Sequence, residues 1–104
     1  MKSRYFDRNG EPLELMGWCA LIELGDYKIV RQESVGDYWI STVWLCINHN
    51  YGSGPPHIFE TMVFGEGNEK YCERYATEAE ALAGHLRIVE GARDGTLALY
   101  GNEA

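Results

Sequence analysis

The chemistry open to this chain rests on three histidines, three cysteines and one glutamate that stands out of pattern. His49, His57 and Glu60 fall at or beside one loop, and imidazole with carboxylate is a donor set that zinc or another transition metal accepts. Cys46 lies close by in sequence. The spacing matches no known ligand signature, so the expectation is no metal and no cofactor, with the two loop histidines exposed. Glu60 interrupts Ile58, Phe59, Met62, Val63 and Phe64. A carboxylate inside a strand of that kind must be hydrogen-bonded, ion-paired or held protonated, and one held protonated is a candidate acid or base. The structural alternative, preferred here, pairs Glu60 across strands with Arg74, Arg31 or Lys28, or with a backbone amide.

Gly52-Ser53-Gly54-Pro55-Pro56 lacks the lysine of a phosphate loop and the helix that would follow a phosphate loop or a nucleophile elbow. Two glycines turn the chain and two prolines fix an extended exit, which suits either a shaped partner-binding loop or an ordinary long hairpin loop. Ser41, Thr42 and His85 offer a hydroxyl and a base, but nothing in their spacing joins them. Cys19, Cys46 and Cys72 form no CxxC pair, and an odd number cannot all pair within one chain. Each sits among apolar residues, as buried free thiols do, which points to a reducing, cytoplasmic setting. No catalytic residue is assigned.

The elements that position these residues read as α+β. Tyr5-Phe6 followed by Asn9-Gly10 predicts a short leading strand or arm and a turn. Pro12 suits a first helical turn, and Leu13, Met16, Ala20 and Leu24 recur at helical spacing, widened by Trp18 and Leu21, which predicts a helix over 12–24. From Tyr27 the residues turn β-branched and aromatic, with a break at Gly36-Asp37. The run from Tyr38 to Ile47 is apolar on both alternating faces, so both faces require cover, one from the helices and the other from more of the chain or a second molecule. Ile58 to Phe64 supplies its antiparallel partner, and Lys70 to Tyr75 a more exposed edge strand. Thr77-Glu78-Ala79-Glu80 is a capping box opening a helix over 77–93, with Leu82, Leu86 and Val89 as its stripe. His85 beside Gly84 suggests close approach of another element there. Residues 96–100 read as a short strand or a packed tail. The expected architecture is an antiparallel sheet of about four strands with a central aromatic hairpin, packed against an N-terminal and a C-terminal helix.

At 104 residues, 45% of them hydrophobic and 12% aromatic, the chain reads as one domain, frayed at 1–4 and 101–104. Nine basic side chains against sixteen acidic give a net charge of −7, with no basic cluster. Direct nucleic-acid and anionic-membrane binding are therefore disfavoured, whereas a basic protein surface suits this charge. No apolar run approaches a bilayer span, and the polar N-terminus carries no signal peptide.

Three segments carry a resemblance: Val35-Gly36-Asp37-Tyr38-Trp39-Ile40-Ser41-Thr42-Val43-Trp44-Leu45, then 54–65 (GPPHIFETMVFG), then 75–85 (YATEAEALAGH). Together they resemble a small family of uncharacterised proteins encoded by bacteriophages and actinobacteria. The resemblance implies a stand-alone phage accessory product that acts by binding, and it supplies no catalytic residues. The leading expectation is thus a non-catalytic protein-binding or regulatory factor, including one acting against a host system, that uses Trp39, Trp44, Tyr51, Pro55, Pro56, His57 and Glu60. The alternatives are a small enzyme or metal- or ligand-binding domain built on Glu60 and the loop histidines, and a structural homo-oligomer.

Overall fold

The computed structural model describes residues 5–48 and 54–99. The elements run β1 (Tyr5–Phe6), β2 (Pro12–Leu13), α1 (Leu15–Ile22), a 3-10 turn (Asp26–Lys28), β3 (Ile29–Val35), β4 (Tyr38–Trp44), β5 (Phe59–Gly65), β6 (Asn68–Tyr75) and α2 (Glu78–Asp94). The fold is α+β: β1 and β2 form a small sheet, and β3-β4-β5-β6 form a four-stranded antiparallel sheet in which β4 and β5 are central. No described helix is long and apolar enough to cross a membrane.

Turn chemistry sets the sheet's register. Gly36 takes the left-handed φ of +59° at the first position of the β3–β4 turn, which only glycine adopts cheaply. Glu66 and Gly67 both have positive φ between β5 and β6, and their hairpin places Glu60 opposite Arg74. Cys46 is also left-handed, at +65°. That bend ends β4 sooner than the apolar run predicts, and Ile47 then bridges to Tyr5.

α2 covers one face of the sheet. Thr77 caps it by accepting from the Glu80 amide; its hydroxyl also donates to the Glu80 carboxylate at 3.0 Å, where the capping box predicted a bond from the Thr77 amide. The buried side of α2 is Ala81, Gly84, His85, Ile88, Val89 and Gly91, whereas Leu82 and Leu86 of the expected stripe are 36% and 49% exposed. The rotation follows from Gly84: a Cβ there would stand 2.4 Å from the Tyr75 ring, so only glycine lets the helix settle on that ring. Beyond α2, Leu97 and Leu99 pack onto the core as a tail.

The N-terminal region departs further from its pattern. The Asp7 carboxylate accepts from the amides of Asn9 and Glu11, folding the chain back so that Phe6 pairs with Pro12. Pro12 is therefore in a strand rather than a first helical turn, and α1 starts only at Leu15. Trp18 stacks on Tyr5 with centroids 4.9 Å apart and donates to the Cys46 sulfur. This orientation turns Trp18, Leu21 and Leu13 toward the core and leaves Met16 and Leu24, expected inside, 79% and 62% exposed. Arg8 ties the unit to the rest: it pairs with Glu78 at 2.8 Å, donates to the Tyr27 carbonyl and lies over the Tyr27 ring.

Candidate functional site

Between sheet and α2 the core divides into two apolar clusters, one around Trp44, Phe59 and Tyr75, the other around Ile40, Val63 and Ile88. A polar belt runs between them. β3 contributes Glu33, β4 Thr42, β5 Thr61 and β6 Glu73; Thr42, Thr61 and Glu73 are direct cross-strand neighbours, and Glu33 stands further along, opposite Ile40. The contacts are continuous. His85 Nε2 lies 2.8 Å from the Glu33 carboxylate, its Nδ1 2.7 Å from the Thr42 hydroxyl, and Thr42 2.5 Å from the Thr61 hydroxyl. The Tyr75 hydroxyl then donates toward Thr61 at 3.1 Å and toward Glu73 at 2.8 Å. Arg31 and Arg87 close the two ends on Glu33 and Glu73.

The proton inventory of the belt orders it. A carboxylate only accepts, so Nε2 of His85 carries the hydrogen toward Glu33. With neutral imidazole, Nδ1 accepts from Thr42, which in turn accepts from Thr61, and the Tyr75 proton goes to Glu73, shared weakly with Thr61. The available protons fill the shortest links, and the longest is the shared one. No buried side-chain nitrogen or oxygen among the described residues lacks a partner. The His85 hydrogen bond, assisted by Arg31, holds the Glu33 carboxyl below its ordinary range; burial is the main cause that raises the Tyr75 phenol.

Hydroxyl, imidazole and carboxylate in this sequence of contacts have the connectivity of a nucleophilic triad. Thr42 and His85 are both 0% exposed, so no reacting carbonyl reaches the hydroxyl. The belt fixes the pairing of the strands and the seat of α2.

The opposite face of the sheet is of another kind. β4 and β5 present Trp39, Val43, Met62 and Phe64 there, with Trp39 directly opposite Phe64, and α1 and α2 both pack elsewhere. Trp39 is 41% exposed. Beside this patch, Leu45, His57, Glu60, Met62, Cys72 and Arg74 line an open groove of about 730 Å³. Glu60 accepts from Arg74 at 2.9 Å and from the Cys72 thiol at 3.4 Å, which is the cross-strand ion pair expected of it. Burial, then the Glu60 carboxylate, push the Cys72 thiol up to about 11, well away from a nucleophile's range.

Of the residues expected at a binding site, Trp39, His57 and Glu60 come together on this face and its groove. Pro55 and Pro56, exposed and half-buried, precede His57 in the chain and are not part of the groove's lining. Trp44 does not belong with them: it is 3% exposed, and its indole donates to the Phe6 carbonyl at 2.8 Å, because its strand position faces α2. Tyr51 and His49 lie outside the described residues. Among the described residues no three His, Cys, Asp or Glu side chains gather as a metal site would require. The surface residues that sequence reasoning left out are Val43, Met62 and Phe64. Strict alternation from Trp39 and from Glu60 places them on the same face. Comparison of the chain with family models, with curated proteins and with solved structures gives no match.

Proposed function

We propose that this chain is a non-catalytic protein-binding factor of the phage-accessory kind, working in the host cytoplasm, which engages its partner through the open face of the β4–β5 hairpin. One observation carries the reading: Trp39 and Phe64 sit opposite each other on a sheet face that no described element covers. An exposed tryptophan on a strand, with half-buried Phe64 directly opposite and half-buried Met62 at the next position of that face, has the form of an interface anchor, and truncating such an anchor typically costs about 2 kcal/mol or more. The GPPHIFETMVFG segment, whose resemblance suggests an accessory product, supplies β5 and the groove residues His57, Glu60 and Met62. The negative charge suits a basic partner.

The test is affinity capture from cells that encode the chain, with wild type beside a Trp39→Thr/Phe64→Thr variant. Threonine suits an open strand position and sets no like charges opposite each other, so the variant stays folded by circular dichroism and loses the partner. Equal capture by both proteins refutes the reading. A dimer seen by light scattering and dissolved by the same variant makes the face a self-interface.

A further inference from the structure

We propose that α1 is a docking helix that seats in an apolar groove of a partner protein whose rims carry lysine or arginine. This surface is separate from the sheet face, since α1 packs on β1, β2 and the 3-10 turn. The helix carries no charged side chain from Leu15 to Ile22 and buries none of its residues. Leu15, Met16, Ile22 and Leu24 are 55%, 79%, 48% and 62% exposed, a contiguous apolar surface of a kind that marks an interaction site. Only Trp18 and Leu21 turn inward, so the helix is apolar on the side toward the protein and on the side away from it.

Charge selects the occupant. Glu11 and Glu14 precede the helix, Glu23 and Asp26 follow it, and all four are exposed; no basic residue stands between Arg8 and Lys28. A second copy fits poorly, because both ends of α1 are acidic and either direction of helix pairing sets carboxylate against carboxylate. A bilayer fits poorly as well. Interfacial helices reach headgroup phosphates with Lys and Arg, and this one offers carboxylates. A groove with basic rims matches both ends at once. The local energetics agree: α1 has eight residues, no side-chain N-cap bond and no basic residue in its last turn, so Glu23 opposes the helix dipole and helix and charge are both stabilised on docking.

Cys19 gives the test its handle. It is exposed on α1, while Cys46 is buried and the Cys72 thiol is pushed up to about 11. Benzophenone-maleimide placed on Cys19 and irradiated in an extract of cells that encode the chain is expected to yield an adduct with one protein, at an apolar groove flanked by Lys or Arg. Affinity for that purified protein should then weaken about tenfold or more in Glu23→Lys, and less so at high salt. Glu23→Lys improves the helix terminus, so lost helix cannot explain the loss; Met16→Glu, with its fold checked by circular dichroism, should abolish binding. A self-adduct, an adduct at a surface without basic residues, no adduct at all, cosedimentation with phosphatidylcholine or phosphatidylglycerol vesicles, or unchanged affinity in Glu23→Lys each overturns the proposal.

Discussion

Replacing Thr42 with valine keeps the shape of the core and removes one hydroxyl from the centre of the belt. Two links depend on that hydroxyl: the bond to His85 Nδ1 at 2.7 Å and the bond from Thr61 at 2.5 Å. Thr61 can turn its proton toward Tyr75, 3.1 Å away, but Nδ1 then faces a methyl group in a site where His85 is 0% exposed. An orphaned buried acceptor costs about 1 to 3 kcal/mol and each lost bond about 1 kcal/mol, so Thr42→Val should cost about 2 to 4 kcal/mol. For a domain of this size the melting temperature falls by about 10 °C or more. A second variant should behave in the opposite way. Thr42→Val/Thr61→Val/His85→Leu removes every partner together; Tyr75 still donates to Glu73 and Glu33 keeps Arg31. With nothing buried and unpaired, the triple variant should return to within about 1 kcal/mol of the parent. Urea unfolding followed by circular dichroism measures both. A Thr42→Val protein as stable as wild type, or a triple variant less stable than Thr42→Val, refutes the account of the belt.

Gly84→Ala gains up to about 1 kcal/mol of helix propensity, yet its methyl meets a Tyr75 ring that is 8% exposed and held at its hydroxyl. Overpacking of about 1 to 3 kcal/mol should win, giving a lower urea midpoint. Glu33 titrates below its ordinary value; a lowered carboxyl stabilises the fold above its unfolded pKa and loses that contribution as pH falls through the folded one. Glu33→Gln should accordingly be less stable than wild type at pH ~7, with the gap closing as pH falls below the ordinary carboxylate range. Iodoacetamide at pH ~8 should modify Cys19 well before Cys46 and Cys72, read by mass spectrometry, and Glu60→Gln should speed the reaction at Cys72.

The sequence patterns that proved legible are those in which one residue type has one local job. Gly36-Asp37, the Thr77 cap and the alternation of β4 and β5 locate the turns, the start of α2 and the central hairpin. Where two apolar phases compete, the pattern misleads. In α1, both Met16 with Leu24 and Trp18 with Leu21 satisfy helical spacing, and the choice is made by Tyr5 and Cys46, remote in sequence, which engage Trp18. In α2 the phase is set by a buried histidine and a glycine, neither of which registers as apolar; the stripe drawn through Leu82 and Leu86 is therefore turned outward. The belt is illegible for the same reason. Thr42 and Thr61 look like ordinary β-formers, and Glu33 like a solvent-facing residue, until the register sets the two threonines opposite each other and His85 bridges Thr42 to Glu33. Glu60 was readable as out of pattern, and the hairpin register assigns Arg74 as its partner. Trp44 was misjudged because a strand apolar on both faces gives no sign of which face the helix takes.

The central claim is that a partner protein meets the open face of the β4–β5 hairpin, and position-specific photocrosslinking tests it most directly. Benzoylphenylalanine would replace Trp39 in one protein and Glu90, exposed on the outer side of α2, in another. The account predicts an adduct with a partner from position 39 and none from position 90. An adduct from position 90 alone, or none from position 39 under conditions in which the wild type captures its partner, contradicts it.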